Sequence, residues 1–120
     1  MPAAAKIEPK LIFRLQFEPE GRIGRGKIEL LSHIKETGSI SAGGRAMDMS
    51  YRRAWLLVDE MNRLFREPVV ESQRGGKQGG GAVVTPFGEA LLARYRTMEA
   101  TMTAAIADDL AWIEAGLADE

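Results

Sequence analysis

Apolar and polar positions alternate in one segment of the chain and recur with helical spacing in several others. Residues 11–18 alternate, with two Leu and two Phe on one side, which is typical of a half-buried strand. Residues 22–26 contain two glycines and are predicted to form a loop. In 27–37 the apolar residues recur at helical spacing, so this segment is predicted to be a helix that Gly38 ends.

Two helix starts follow close together. Ser41 can cap a short helix over 42–47, and Ser50 can cap a longer one over 51–65. The longer helix is predicted to bury an apolar face made of Ala54, Trp55, Val58, Met61 and Phe65, with Leu57 beside it. A short helix, a tight turn and a longer helix predict a helix-turn-helix over about 41–65. The two adjacent glycines of the short helix fit if they allow the two helices to approach closely.

Two β-prone runs come next and predict a hairpin. Residues 69–73 and 81–85 flank a glycine-rich loop, and a hairpin directly after a helix-turn-helix forms a wing. The strand at 11–18 is available as its third strand. The expected fold is therefore mainly α with a small antiparallel β-sheet, with a winged helix-turn-helix domain over 1–85 and the wing at about 69–85.

A long C-terminal helix is predicted over 86–117, with Thr85 as its N-cap and Pro86 in its first turn. About 30 residues make a helix of roughly 45 Å, which is too long for so small a domain to cover its apolar stripe. The segment 86–120 is therefore expected to be a dimerisation helix with an acidic end. The alternative is a helix that folds back on its own domain, broken near Ala107. The residues expected to pair two copies are Leu91, Tyr95, Met98, Met102, Ile106, Leu110 and Ile113.

Composition narrows the classes of function. The 120 residues include no Cys and one His, which excludes disulfides, thiolate catalysis and multi-His metal sites. No apolar run approaches the ~18 residues of a membrane span, and the N-terminus lacks a signal-peptide core, so a cytoplasmic protein without membrane contact is expected. The adjacent carboxylate pairs on helices diverge and make no two-carboxylate site. No enzymatic activity, metal or cofactor is expected.

Charge is distributed unevenly along the chain. Residues 1–88 carry 14 Lys and Arg against 10 Asp and Glu, whereas residues 89–120 carry 2 against 7, so the net charge of −1 conceals a basic body. This asymmetry favours a polyanionic partner for the basic part. A purely random scatter of charges is the alternative.

The front of the second predicted helix is the main candidate site. In a helix-turn-helix this part enters the major groove, where Arg52 and Arg53 can read guanine and Tyr51 can contact phosphate or a thymine methyl region. The Ser50 hydroxyl and the first-turn N–H groups suit a phosphate oxygen. The alternative is a solvated charged face.

The glycine-rich loop at 74–81 is a second candidate. It joins two strands and lacks the sequence that a phosphate-binding P-loop needs, so a wing tip that places Arg74 and Lys77 on phosphates or in the minor groove is the better interpretation. A merely mobile loop is the alternative. Two other functions stay open: a protein–protein interaction module whose acidic end docks a partner, and a small oxyanion- or nucleotide-binding protein that uses this loop.

Two runs of sequence resemble a known family. GSISAGGRAMDMSYRRAWLLVDEMNRL at 38–64 and VVESQRGGKQGGGAVVTPFG at 69–88 resemble the N-terminal DNA-binding domain of ModE-type molybdate-responsive regulators, over about residues 10–115. A similarity to LysR-type winged helices covers only 38–62. The ModE resemblance implies a homodimeric winged helix-turn-helix that binds a palindromic operator in double-stranded DNA near molybdate-uptake genes. The DNA-binding residues that it implies are Ser41, Ser50, Tyr51, Arg52, Arg53, Arg74, Lys77 and Gln78.

The chain departs from this family in two respects. Arg52 stands where some members have Lys, which changes the base pattern that this position reads. Full-length members also carry C-terminal oxyanion-binding domains that sense molybdate, and nothing in this sequence resembles them. We therefore expect a naturally short form rather than a piece of a longer protein, with no molybdate site of its own, and a separate protein could supply effector sensing.

Overall fold

Helices dominate the computed structural model, which describes residues 9–73 and 81–118. This part of the chain measures 56 × 38 × 23 Å along its principal axes. Its elements, in chain order, are β1 (Arg14–Gln16), β2 (Arg22–Gly24), α1 (Arg25–Thr37), α2 (Ile40–Ala46), α3 (Tyr51–Leu64), β3 (Val70–Gln73), β4 (Gly81–Val84), α4 (Pro86–Ala105) and α5 (Ala107–Ala115). The predicted fold class, a winged helix-turn-helix with small antiparallel sheets, is confirmed.

The core forms where α1 and α3 bury their apolar faces. The first helix contributes Ile28, Leu30, Leu31 and Ile34, all fully buried. The third helix contributes Ala54, Leu57, Val58 and Met61, which recur at the three- and four-residue steps of one helical face. Trp55 was expected on this face, but its side chain is 46% exposed. It lies about 100° around the helix from Ala54, which brings it to the flank of the buried stripe.

Adjacent glycines set the distance between three helices. A Cβ on Gly43 would lie 2.8 Å from Cγ1 of Ile34 in α1, and a Cβ on Gly44 would lie 2.8 Å from Cβ of Ala54 in α3. Real Cβ atoms do not approach other atoms so closely. The prediction that these glycines allow close helix packing is confirmed, with one glycine facing each neighbouring helix.

The predicted N-cap residue is wrong for α2 and confirmed for α3. Ser39, not Ser41, caps α2, because its Oγ accepts a hydrogen bond from the Ala42 N–H at 3.0 Å. The helix therefore begins at Ile40, two residues before the predicted start at residue 42. Ser50 caps α3 as predicted, and its Oγ accepts from the Arg53 N–H at 3.1 Å.

The first two strands form a hairpin of their own. Residues 22–26 were expected as a loop, but Arg22–Gly24 is β2, which pairs antiparallel with β1. The chain reverses between them at Gly21, whose φ of +110° suits glycine and whose carbonyl accepts from the Phe17 N–H at 2.8 Å. This local pairing uses the segment that was expected to supply a third strand to the wing, so that expectation is wrong.

The wing consists of β3 and β4, which pair antiparallel from Val70 opposite Val84 to Gln73 opposite Gly81. In place of a third strand, the end of α1 contacts β4, where the Ala82 N–H donates to the Gly38 carbonyl at 2.9 Å. The predicted hairpin is therefore confirmed, but it rests against a helix end rather than against a strand.

The C-terminal helix is interrupted. Residues 86–117 were expected to form one helix, but α4 ends at Ala105 and α5 begins at Ala107. Ile106 between them has φ −104° and ψ 11°, outside the helical range. The interruption is beside Ala107, where the alternative placed a break. However, α5 does not fold back on the core, because none of its residues is buried.

Tyr95 joins α4 to the N-terminal segment. Its side chain is fully buried, its ring stacks on Phe13 with centroids 4.4 Å apart, and its hydroxyl donates to the Phe13 carbonyl at 2.7 Å. Burial raises the pKa of Tyr95 above its ordinary value of 10.0. Tyr95 therefore holds the residues before β1 against the middle of α4.

Substituting Gly43 tests the close helix approach. Gly43→Val is expected to lower the free energy of unfolding by about 1–3 kcal/mol, because the new side chain overlaps Ile34. The matched control is Gly26→Val in α1, where an added Cβ has no atom within 4 Å, and it is expected to change stability by less than ~1 kcal/mol. Urea unfolding measures both; equal losses would contradict the packing argument.

Replacing the Tyr95 hydroxyl tests the contact with Phe13. Tyr95→Phe is expected to lower the free energy of unfolding by about 0.5–1.5 kcal/mol at neutral pH, because it removes one partly buried hydrogen bond. Since the pKa of Tyr95 is higher in the folded than in the unfolded state, its contribution is complete below pH 10 and is lost as the pH rises further. Urea unfolding of both proteins should show a stability gap that narrows above pH 10; a constant gap would contradict the shift.

Candidate nucleic-acid interface

The third helix presents a distinct outer face to solvent. The core residues of α3 occupy one side of the helix. The opposite side carries residues at steps of four, three and four along the chain, namely Arg52, Leu56, Asp59 and Arg63. Arg52 is exposed, Leu56 is 40% exposed, and the Arg63 side chain is 75% exposed. A convex helical face of this kind has the size and shape to enter a DNA major groove.

The predicted site residues at the start of α3 lie together. Ser50 is exposed at the N-cap, and the first turn places Tyr51, Arg52 and Arg53 in solvent, with Tyr51 57% exposed. This helix end carries no acidic residue in its first turn, so its positive dipole is left unopposed there. Two guanidinium groups, a phenol and free first-turn N–H groups together form an anion-attracting surface.

One acidic residue interrupts this face, and it is paired. Asp59 Oδ2 lies 2.8 Å from the Arg63 guanidinium one turn along the same helix. The exposed pair adds little to stability, but it neutralises the carboxylate that would otherwise repel DNA phosphates. Beside it, Leu56 offers an apolar contact of the kind that thymine methyl groups accept. The sequence analysis assigned neither Leu56 nor Asp59 to this face. Their helical spacing from Arg52 was the signal that could have placed them there.

Aromatic side chains border one edge of the face. Tyr51 and Trp55, four residues apart on α3, are neighbours on the helix surface and are both substantially exposed. Trp55 was expected in the core, and its position here adds a flat, partly polar surface next to Arg52. Arg53 lies on the opposite flank, so the two edges of α3 differ in chemistry.

The base of the wing is held to α3 by one side chain. Asn62 Oδ1 accepts from the Val69 N–H at 2.8 Å, and its Nδ2 donates to the Val70 carbonyl at 3.0 Å. Thr85 closes the other side: its hydroxyl donates to the Pro68 carbonyl at 2.7 Å and accepts from the Gly88 N–H at 2.9 Å. These are positioning residues. Thr85 was predicted only as a cap, and Asn62 was not assigned a role.

Of the remaining predicted DNA contacts, the structure describes Ser41. Ser41 lies on α2, half-buried, with its Oγ accepting from the Arg45 guanidinium at 2.8 Å. Arg74, Lys77 and Gln78 lie outside the described residues.

The predicted dimerisation stripe divides into two parts. Tyr95 is in the core of its own domain, and Leu91 and Met98 pack partly against that core. Met102, Ile106 and Leu110 are half-buried and extend beyond it. In α5, Ile113 is 47% exposed and Trp112, which was not assigned, is 79% exposed. Among the described residues, the second part of the stripe is therefore less well covered than the first.

Two further observations concern the described residues. Within 9–73 and 81–118, His, Asp and Glu side chains form no group of three that could hold a metal ion. No helix in the same ranges is long and apolar enough to cross a membrane.

Three proteins, from Rhodobacter capsulatus and Escherichia coli, are similar in sequence to this chain. The molybdenum-pterin-binding protein MopB of Rhodobacter capsulatus is 51% identical over 79 residues, which is 66% of this chain and 29% of MopB. MopA of the same organism is 39% identical over 101 residues, 82% of this chain and 38% of MopA. The DNA-binding transcriptional dual regulator ModE of Escherichia coli K12 is 46% identical over 89 residues, 74% of this chain and 34% of ModE.

The chain is a homologue of the ModE-type proteins. The resemblance predicted from residues 38–64 and 69–88 is thereby confirmed. The chain spans about a third of the length of these curated relatives. No protein-family model matches it.

Proposed function

We propose that this chain is a sequence-specific, DNA-binding transcriptional regulator that acts as a homodimer. The observation that carries the proposal is the exposed, uncompensated basic start of α3, formed by Ser50, Tyr51, Arg52 and Arg53 on a helix whose other side is buried. A regulator among the homologues, ModE of Escherichia coli, supports it.

The residues divide into those that read bases and those that position the protein. Arg52 lies at the centre of the outer face, where its two parallel donors reach the O6 and N7 acceptors of guanine. Leu56, one turn later, meets thymine methyl groups. Ser50, the first-turn N–H groups and Arg53 bind phosphate oxygens, and the wing, through Arg74, Lys77 and Gln78, adds contacts beside the major groove.

The incompletely covered part of the C-terminal helices supports the proposed homodimer. Met102, Ile106 and Leu110 are only half-buried and Ile113 is 47% exposed, so the described part of the chain covers these apolar side chains incompletely. A second copy related by a two-fold axis would cover this stripe. It would also place two α3 helices in successive major grooves, about 34 Å apart, which corresponds to an inverted-repeat operator.

The link to molybdenum is proposed at the level of the regulated genes. The relatives named above are a molybdenum-pterin-binding pair and a transcriptional regulator. The chain aligns with only about a third of each relative, so a molybdenum-binding activity does not transfer with the alignment. We therefore propose control of genes for molybdate transport or molybdenum use.

Selection of duplexes from a random pool tests the function. The chain should enrich an inverted repeat whose half-sites are one helical turn apart, about 10–10.5 base pairs centre to centre. Selection with and without molybdate then reports any effector. Enrichment of a single half-site would contradict the dimer. Absence of any enriched duplex at moderate salt would instead favour a winged helix that contacts a protein partner.

Two substitutions at Arg52 separate base reading from charge. Arg52→Ala is expected to weaken operator binding by ~1–3 kcal/mol, with a smaller loss on random DNA, because a base contact disappears. Arg52→Lys keeps the charge but loses the planar fork, so it should keep random-DNA affinity and still lose specificity. Fluorescence anisotropy on both duplexes measures this. An equal loss on operator and random DNA would reassign Arg52 to the phosphate backbone.

A further inference from the structure

A basic groove runs along the Arg53 flank of α3. Its walls are the β1–β2 hairpin, the first turn of α1 and α3 itself, and its volume is about 570 Å³. Glu60 is the single acidic residue among those that line it. The basic residues that line it, which define the basic groove, are Arg14, Arg22, Arg25, Lys27 and Arg53.

We propose that the basic groove binds the sugar–phosphate backbone of the same DNA duplex, next to the base-reading face of α3. The inference rests on the DNA-binding function proposed above. It adds the β1–β2 hairpin and the start of α1 to the interface, elements to which neither the sequence nor the resemblance assigned a contact.

The charge of the groove is only partly compensated. Arg25 pairs with Glu29 at 2.8 Å, and Lys27 lies 3.4 Å from Glu60. Arg14, Arg22 and Arg53 are exposed, and within residues 9–73 and 81–118 they make no ion pair. Three guanidinium groups around one concave surface repel one another. A polyanion bound among them would be attracted to all three and would offset that repulsion.

The two arginines of the β1–β2 hairpin lie on the same face of it. In the register of β1 and β2, Arg14 is opposite Gly24 and Gln16 is opposite Arg22, so both arginines belong to the same face of the two-stranded ribbon. Ile23, on the other face, is buried. A Cβ on Gly24 would lie 2.9 Å from Cβ of Arg14, so the glycine provides the space in which the Arg14 side chain lies.

The start of α1 adds backbone donors to this surface. Its N-cap, Gly24, makes no side-chain hydrogen bond to the first turn, and that turn holds no acidic residue. Gly26 in the same turn has no atom within 4 Å of the place where a Cβ would be, so the backbone there is open to the groove. First-turn N–H groups and a positive helix end complement phosphate oxygens.

The position of the groove relates it to the duplex. Met49, before the cap of α3, and Arg53, in its first turn, both line the groove, so it begins where the base-reading surface ends. A helix in the major groove lies between two phosphate backbones. The backbone that passes the Arg53 flank would continue along the β1–β2 hairpin, whereas the flank with Tyr51 and Trp55 faces the other strand.

Removal of the two hairpin charges is the main test. The double variant Arg14→Gln, Arg22→Gln should bind operator and unrelated duplex about 10-fold or more weakly at moderate salt, by the same factor for each. The slope of log K against log salt should fall in magnitude by about two, one per lost phosphate contact. The matched control Arg94→Gln, Arg96→Gln removes the same charge from α4 and should leave the slope unchanged.

A charge placed at Gly26 tests the groove without touching the hairpin. Gly26→Glu fits the open space, and a carboxylate in the first turn of α1 should hold or raise the Tm. It should nevertheless weaken DNA binding several-fold relative to Gly26→Gln, because it opposes the phosphates. A fall in affinity alongside an unchanged or higher Tm separates loss of binding from loss of folding.

The outcomes distinguish the two proposals. If the chain binds an operator in an Arg52-dependent manner but the hairpin and Gly26 variants match the unaltered chain in affinity and salt slope, the groove proposal is overturned and the function stands. If the α4 control loses as much as the hairpin variant, net charge explains the effect and the groove proposal is again overturned. If the chain binds no duplex at all, both proposals fail.

Discussion

The rest of the structure depends on the close packing of α2 against α1 and α3, which two glycines without side chains allow. Gly43 and Gly44 let α2 approach Ile34 of α1 and Ala54 of α3 at distances that a methyl group would prevent. Because Ala54 faces α2, the orientation of α3 about its own axis is set by this contact. The opposite side of α3, with Arg52 at its centre, must then face solvent.

A second set of contacts fixes the wing relative to that helix. Asn62 reaches from α3 to the backbone of Val69 and Val70, and Thr85 links the wing strand to both Pro68 and the start of α4. Each of these side chains hydrogen-bonds to backbone groups of two different residues. These hydrogen bonds fix the base of the wing relative to α3.

The electrostatics of the molecule follow the same division. Arg14 and Arg22 lie on the β1–β2 hairpin and three further arginines lie on α3, whereas Asp108, Asp109 and Glu114 lie on α5. Tyr95 and Phe13 connect these regions, because they hold the segment before β1 against α4. Such a charge distribution attracts a polyanion to the basic side of the molecule and repels it from α5, which agrees with the DNA-binding function proposed above.

Local chemistry in the sequence determined the elements: the caps Ser50 and Thr85, the apolar periodicity of α1 and α3, and the basic start of α3 are all short-range signals. Tertiary structure alone decided which elements meet. A turn at Gly21 closes β1 on β2 rather than on the wing, Tyr95 leaves the exposed stripe for the core, and Trp55 leaves the core for the surface. Periodicity identifies an apolar face but not the partner that covers it, and that partner depends on helix distances set by residues far apart in the chain.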